Sequence, residues 1–199
     1  AKTRVLHALA QQGEQVLDLE QLAGHRGSVL GAVPGIEQPS QKKFETCLFT
    51  TLAGFDLQRT IWVEAESRRI GKLALPEALL QRLRASPVLE LAAGTQARLS
   101  YLLRDYAWLG DDPDALCDKL GMLKGILPND LLAQWQRWAL ARDLPRLFAD
   151  LIDKHYDPLY ARSQGRHLKR LLHAERIDVD DLSPDGIQAL AQRITRGPL

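Results

Sequence analysis

The chain begins Ala1-Lys2-Thr3 and runs straight into an amphipathic stretch. Lysine followed by threonine at the head of a helix is how a phosphate-binding loop ends. In such a loop, glycine-rich backbone N–H groups cradle the phosphates, the lysine neutralises their charge and the hydroxyl holds magnesium. No glycine precedes this lysine, so Lys2 and Thr3 by themselves read equally as an ordinary amino terminus. Glu64 and Glu66, in Trp62-Val63-Glu64-Ala65-Glu66, close an apolar run. Alternation puts both on one strand face, and acids at a strand's C-terminal end lie at the crevice where open α/β sheets bind ligands. A Walker-type acid there would order magnesium or a water, while a solvated strand end accounts for the same residues. Arg68 and Arg69 follow at once, suited to pair with the glutamates or to counter an anion. His25-Arg26-Gly27-Ser28 gathers an imidazole, a guanidinium, a flexible glycine and a hydroxyl, a set fit for anion or oxygen recognition and equally for a turn. Gln38-Pro39-Ser40-Gln41 reads the same way, with Ser40 as a helix N-cap.

A second kind of chemistry lies near the C-terminus. Tyr156-Asp157-Pro158-Leu159-Tyr160 is followed by Arg162, Arg166, His167, Lys169 and Arg170. Basic residues interleaved with aromatics fit nucleic-acid backbone contact plus base stacking, and a solvated basic helix face fits as well. Cys47 and Cys117 stand far apart with no Cys-x-x-Cys or Cys/His spacing. That pattern argues neither a zinc site nor a disulfide, and Cys47 reads as a buried structural thiol in preference to a nucleophile.

The elements that must position these groups alternate in the first half. Thr3–Gln12 reads as a short helix ended by Gly13, and Gln15–Leu19 as a buried strand with Asp18 near its end. Ala23–Gln41 is loop-like, long for a compact domain, and such loops are often functional. Gln41–Gly54 is helical, with Phe44, Cys47, Leu48 and Leu52 on one face. Arg59–Glu66 is the clearest strand. Pro76–Ala85 is a helix with Pro76 at its first position, Pro87–Leu91 a third strand and Thr95–Trp108 a further helix. Helix and strand in turn are the mark of a parallel sheet flanked by helices. After Asp111 the pattern becomes helical over Asp114–Leu127, Asn129–Lys154 and Asp157–His173, with Pro128 and Asn129 as break and N-cap. Trp135 and Trp138, with Leu131, Leu132 and Leu147, read as a packing face. Glu175–Val179 is strand-like, and Ser183-Pro184-Asp185 starts a last helix to Ile194. The expected organisation is an α/β domain over residues 1–110 and a mainly helical region over 111–199.

With 199 residues, 45% of them hydrophobic, the chain can bury a core of ordinary size. A net charge of +1 leaves any basic surface local. No apolar run approaches the roughly 20 residues of a membrane span, and no signal peptide is visible, which makes the cytoplasm the expected compartment.

Four stretches taken together resemble the bacterial tRNA 2-selenouridine synthase family: Val-Leu-Asp-Leu-Glu-Gln-Leu-Ala-Gly-His-Arg-Gly-Ser-Val-Leu-Gly, Gln-Pro-Ser-Gln-Lys-Lys-Phe-Glu, Ile-Trp-Val-Glu-Ala-Glu-Ser-Arg-Arg-Ile-Gly-Lys-Leu-Ala-Leu-Pro-Glu-Ala-Leu and His-Tyr-Asp-Pro-Leu-Tyr-Ala-Arg-Ser-Gln-Gly-Arg-His-Leu-Lys. Their order and spacing cover almost the whole chain, and the combination is far more specific than any single motif. The resemblance implies a P-loop NTPase-like parallel sheet whose first strand and glycine loop are missing here, followed by a helical region that contacts tRNA. Family members carry a rhodanese-like domain with a catalytic cysteine before the P-loop domain. They modify the wobble 2-thiouridine of tRNAs for Lys, Glu and Gln, first geranylating the sulfur with geranyl diphosphate and then replacing it with selenium from selenophosphate.

By that pattern Lys2 and Thr3 are the last two Walker A residues, and Glu64 and Glu66 the acidic strand end, where magnesium would sit if it is used. Arg26, Arg68 and Arg69 become candidate counter-charges, with His25 and Ser28 beside the phosphate. Tyr156, Tyr160, Arg166, Lys169 and Arg170 become candidates for RNA contact. The sequence departs from the pattern in lacking the rhodanese-like domain, its cysteine, and the P-loop strand and glycines, and in placing Ala1 where glycine usually precedes the lysine. The expectation is therefore an incomplete representation of a longer enzyme, inactive alone. Two rivals share parts of the pattern. A P-loop phosphotransferase would turn over ATP without tRNA, and a non-catalytic RNA-binding module would bind tRNA after loss of Lys2 or Glu64.

Overall fold

The computed structural model describes residues 1–27, 31, 35–65, 68–165 and 174–197. In chain order the elements are α1 (Lys2–Gln11), β1 (Gln15–Leu17), α2 (Leu19–Ala23), α3 (Gln41–Ala53), β2 (Ile61–Val63), β3 (Arg69–Ile70), β4 (Leu73–Ala74), α4 (Glu77–Ala85), β5 (Leu89–Ala93), α5 (Thr95–Asp105), a 3-10 turn (Ala107–Gly110), α6 (Pro113–Gly121), α7 (Asn129–Leu140), α8 (Leu144–Leu151), a π-helical turn (Ile152–Tyr156), α9 (Asp157–Gly165), β6 (Glu175–Val179) and α10 (Pro184–Thr195). They divide into two compact units, residues 1–86 with 184–199, and residues 87–183. The division falls after Ser86, not at the boundary near residue 110 expected from the loss of strand pattern, and the last helix belongs with the first unit.

In the first unit, β1 and β2 pair in parallel with Gln15 opposite Ile61 and Leu17 opposite Val63. The hairpin β3–β4 is antiparallel, Arg69 opposite Ala74 and Ile70 opposite Leu73. The core beneath them joins Leu17, Leu19, Ala23, Phe44, Leu48, Ile70, Leu73, Leu75 and Leu80. The face of α3 predicted from its spacing divides into buried Phe44 and Leu48 and half-buried Cys47 and Leu52. Ser40 caps α3, its Oγ accepting from Lys43 N at 3.2 Å. Helix α1 buries Val5, Leu6, Ala8 and Leu9, and α10, which buries Ile187, Leu190 and Ala191, packs against it. Two polar contacts stitch that pair, Gln188 to Gln11 at 2.5 Å and Thr195 Oγ1 to Gln12 Oε1 at 3.0 Å.

The second unit holds β5 and β6 in parallel, Leu89 opposite Glu175 through Ala93 opposite Val179. This overturns one expectation: the third strand pairs not with β1 or β2 but with the strand-like piece near the C-terminus. Among the described residues the sheets are three separate two-stranded pieces, not one continuous parallel sheet. Helices α6 and α7 pack together, and α8 packs on both α5 and α7, around Leu116, Leu120, Leu132, Trp135, Leu147, Phe148 and Leu151. Trp135 is fully buried and donates from Nε1 to Asp150 Oδ2 at 2.8 Å, while Trp138 is only half-buried. The long helix expected over 129–154 is broken. Arg142 takes a left-handed φ of 56°, Asp143 accepts from Arg146 N, and Pro145 sits in the first turn of α8. Proline occupies the N-cap position of both α4 and α7, Pro76 and Pro128, so Pro76 precedes its helix and Asn129 is a first helical residue, not a cap.

Candidate functional site

The register of β1 on β2 sets the site. Leu17 faces Val63 as the last pair, so the next residues, Asp18 and Glu64, leave the sheet at the same level on adjacent strands. This is the C-terminal edge, where parallel sheets gather ligand-binding groups. Helix α1 delivers Thr3 to it. Thr3 Oγ1 donates to Glu20 Oε2 at 2.7 Å, with Glu64 Oε2 3.3 Å away as a second acceptor. Glu64 is 3% exposed, and its other oxygen accepts from Glu20 N at 3.0 Å. Lys2 is exposed and donates from Nζ to Ala65 O at 3.4 Å, the residue next to Glu64. A hydroxyl, a lysine and two carboxylates thus converge at the head of α1. Glu64 lies just past β2, which ends at Val63, so it is placed by the exit of the strand and not by alternation along it.

Asp18 organises the neighbouring turn. Its Oδ1 accepts from Gln21 N at 2.7 Å, capping α2, and its Oδ2 lies 2.6 Å from His7 Nε2. His7 is one helical turn beyond Thr3 on the same face. Helix α2 ends at Gly24 with φ 61°, a left-handed cap that a side chain would strain. The chain then enters the His-Arg-Gly stretch. His25 N donates to Glu20 O at 3.0 Å and Arg26 N to Gly31 O at 2.8 Å. His25 Nδ1 accepts from Gly27 N at 3.0 Å, so that ring nitrogen carries no proton in this arrangement.

Of the residues predicted for phosphate chemistry, Lys2, Thr3 and Glu64 are brought together. His25 and Arg26 follow directly on the helix that carries Glu20. Arg68 and Arg69 are exposed at the root of the β3–β4 hairpin, closed by Leu75 N donating to Arg68 O at 3.0 Å. Ser28 and Glu66 lie outside the described residues. Sequence reasoning missed Glu20 and His7 as site residues. The acid two residues after Asp18, immediately beyond a buried strand, was the available signal for Glu20. His7 offered only its helical spacing from Thr3. Gln38 and Gln41 are spent on backbone groups of the first unit, not turned toward an open anion site.

Of the residues predicted for RNA contact, Tyr156 and Tyr160 are described, and both belong to the second unit. Tyr160 is 57% exposed. Tyr156 is half-buried, its ring edge-on to that of buried His155 at 5.1 Å between centroids. Between them Asp157 accepts a two-pronged pair from Arg98 of α5, at 2.6 and 2.9 Å. The bonds from Arg98 hold the Asp157 carboxyl below its ordinary value, and those same bonds raise the guanidinium. Arg166, Lys169 and Arg170 lie outside the described residues. Cys117 is half-buried, with Sγ 3.6 Å from Gln136 O; desolvation first, then Asp114 and Asp118, push its thiol up, the reverse of an activated nucleophile. Among the described residues no helix is long and apolar enough to cross a membrane.

Residues 1–124 match the family model of the tRNA 2-selenouridine synthase AAA domain. The tRNA 2-selenouridine synthase of Alcanivorax borkumensis is 31% identical over 207 residues, covering 88% of this chain and 56% of the relative. That of Cupriavidus necator is 31% identical over 196 residues, covering 83% and 53%. That of Marinobacter nauticus is 41% identical over 107 residues, covering 53% and 28%. The chain spans about half the length of the first two of these relatives. No solved structure matches. With the matched region holding the whole Thr3–Glu20–Glu64 cluster, the chain belongs to the tRNA 2-selenouridine synthase family.

Proposed function

We propose that this chain supplies the diphosphate-handling and tRNA-contacting part of an enzyme that converts the wobble 2-thiouridine of tRNAs for Lys, Glu and Gln to 2-selenouridine. The reaction runs through an S-geranyl intermediate, with geranyl diphosphate and selenophosphate as donors. The observation that carries the reading is the Thr3 hydroxyl, beside Lys2, held between Glu20 and Glu64 where two parallel strands end in register. In the first step the thiouridine sulfur attacks the first carbon of the prenyl group, the carbon–oxygen bond breaks, and diphosphate departs. Catalysis then rests mainly on stabilising charge that grows on the leaving group. Lys2, next to Thr3 in the chain and bonded to the residue after Glu64, supplies one cation, with Arg26, Arg68 and Arg69 as further counter-charges and His25 and Ser28 as donors.

Two carboxylates and a hydroxyl are hard oxygen donors of the kind magnesium takes. Thr3 with Glu20 or Glu64 would hold it, and the ion would neutralise diphosphate charge. Glu66 is proposed to serve the same role as Glu64. Tyr156 and Tyr160 would stack on anticodon-arm bases while Arg166, Lys169 and Arg170 meet the phosphates.

The test is Lys2→Ala in the entire gene product, assayed for tRNA geranylation with geranyl diphosphate and for selenation with selenophosphate. Loss of geranylation, with tRNA binding retained, is expected. Unchanged geranylation overturns the phosphate-site assignment, and ATP turnover without tRNA would replace it with phosphotransfer.

A further inference from the structure

The stretch Gln38-Pro39-Ser40-Gln41 takes no part in the cluster around Thr3, yet both of its glutamines are bound at both ends of the amide. Gln38 Nε2 donates to Ala23 O at 3.1 Å and to Ile70 O at 3.0 Å, and Gln38 Oε1 accepts from Lys72 N at 2.9 Å. These partners lie in different segments. Ala23 ends α2, the helix that carries Glu20 in its first turn, and leads into His25 and Arg26. Ile70 and Lys72 flank Gly71, the turn of the β3–β4 hairpin that carries Arg68 and Arg69. Gly71 has φ +58°, and a Cβ there would stand 2.1 Å from Gln38 Oε1, so the bare glycine is what lets the amide lie against the turn.

Gln41 does for the outgoing strand what Gln38 does for the turn. Its Nε2 donates to Ala74 O at 2.8 Å and its Oε1 accepts from Ala74 N at 3.0 Å, pairing that residue as a neighbouring strand would. A further bond from Nε2 to Glu45 Oε1 at 2.8 Å ties it along α3. The start of α3 is itself fixed, by the Ser40 cap and by Phe44 at 0% exposure in the core. The hairpin needs such support, since each strand has two residues and an isolated two-stranded hairpin is marginal in water. Ile70 and Leu73 hold one side of it in the core. The glutamines fix the backbone of the side whose side chains, Arg68 and Arg69, stay exposed.

We infer that Gln38 and Gln41 are positioning residues, which lock the Arg68–Arg69 hairpin to the end of α2 so that its guanidiniums and the His25–Arg26 segment meet one polyanion, the diphosphate of the prenyl donor. This rests on the proposed reading of those arginines as counter-charges. Holding charged groups at a set spacing removes the reorganisation that loose side chains would undergo on binding, which is where positioning acts on affinity and rate.

The experiment measures KM for geranyl diphosphate, KM for tRNA and kcat in the entire gene product. Gln38→Ala should raise KM for the diphosphate by about tenfold or more and leave KM for tRNA unchanged. Gly71→Ala, which dislodges the same amide from the opposite side, should give the same split and keeps the test alive if the first variant folds poorly. Gln38→Glu, which retains the acceptor for Lys72 N but sets a carboxylate oxygen against the Ala23 and Ile70 carbonyls, should raise KM for the diphosphate at least as far as Gln38→Ala. In a background of Arg68→Ala with Arg69→Ala, Gln38→Ala should add nothing further, because it acts through them. If the arginine variants raise KM while Gln38→Ala and Gly71→Ala do not, or if the Gln38 effect adds in full on top of theirs, the positioning role is overturned with the arginine reading intact. If the arginine variants leave KM unchanged, the reading of the arginines fails and the inference falls with it.

Discussion

Replacing Glu64 separates what the site does from what holds it up. The carboxylate is 3% exposed and serves two neighbours, accepting from Glu20 N at 3.0 Å and standing 3.3 Å from the Thr3 hydroxyl. Glu64→Ala leaves the half-buried Glu20 N–H without its acceptor, a loss toward the lower end of about 1–3 kcal/mol, and the emptied side-chain volume adds to it. Glu64→Gln keeps the shape. Its amide oxygen still accepts from Glu20 N, and its amide NH2 can donate to Thr3 Oγ1, whose own hydrogen goes to Glu20 at 2.7 Å. The substitution also removes one of two carboxylates crowded on a single hydroxyl. Glu64→Gln should therefore unfold in urea within about 0.5 kcal/mol of the parent, while Glu64→Ala falls well below it. Activity should behave in the opposite way. If the acid orders a cation or water against the leaving diphosphate, losing its charge should cost about a hundredfold or more in kcat for geranylation, despite the intact fold. Urea unfolding with tryptophan fluorescence, beside single-turnover geranylation of tRNA, reads both. Near-parent activity in Glu64→Gln would refute the catalytic role, and equal destabilisation by the two variants would refute the hydrogen-bond account.

Two further expectations follow from packing and charge. Phe44, fully buried among Leu17, Leu19, Leu48 and Ile70, should cost about 3–5 kcal/mol as Phe44→Ala, read as a lower urea midpoint for the first unit. The Arg98–Asp157 pair should show its pH window. The folded carboxyl lies below its unfolded value, so its stabilisation is present above the unfolded pKa and fades as pH falls through the folded one. With side chains 34% and 45% exposed, the pair is worth about 1 kcal/mol or less at neutral pH. Asp157→Asn should lower the urea midpoint at pH 7 and lose that deficit in acid; an unchanging deficit would assign the effect to packing.

Local pattern carried the helices and failed where partners were distant. The apolar spacing of α1 and the Ser40 cap of α3 were readable because an amphipathic stripe and an N-cap are local signals. Two elements were hidden for physical reasons. The β3–β4 hairpin has two residues in each strand and takes its backbone partners from Gln38 and Gln41, more than thirty residues upstream, so no alternation exists to be read. The pairing of β5 with β6 joins residues 89–93 to 175–179, and a strand's own sequence does not name its partner. The break between α7 and α8 was visible in principle: Asp143-Leu144-Pro145 combines a side-chain cap with a proline, whose missing N–H suits the first turn of a new helix and not the interior of a longer one.

The site divided along the same line. Lys2 and Thr3 were weak alone, and the acidic residue they meet was found by its place at a strand end. Glu20 was missed as a site residue although it stands in the same Asp-Leu-Glu stretch, because an acid in the first turn of a helix already has an electrostatic reason to be there. Its second role appears only when β1 and β2 are set side by side, for their register brings the start of α2 under the Glu64 carboxylate. Slipping that register by one residue would turn the buried side chains of β1 to the opposite face, and with them the strand exit that carries Asp18 and Glu20. The cluster is therefore a property of the pairing between Gln15–Leu17 and Ile61–Val63. A substitution that loosens this pairing should degrade the Thr3–Glu20–Glu64 cluster, and with it the proposed phosphate binding, without altering any residue of the cluster itself.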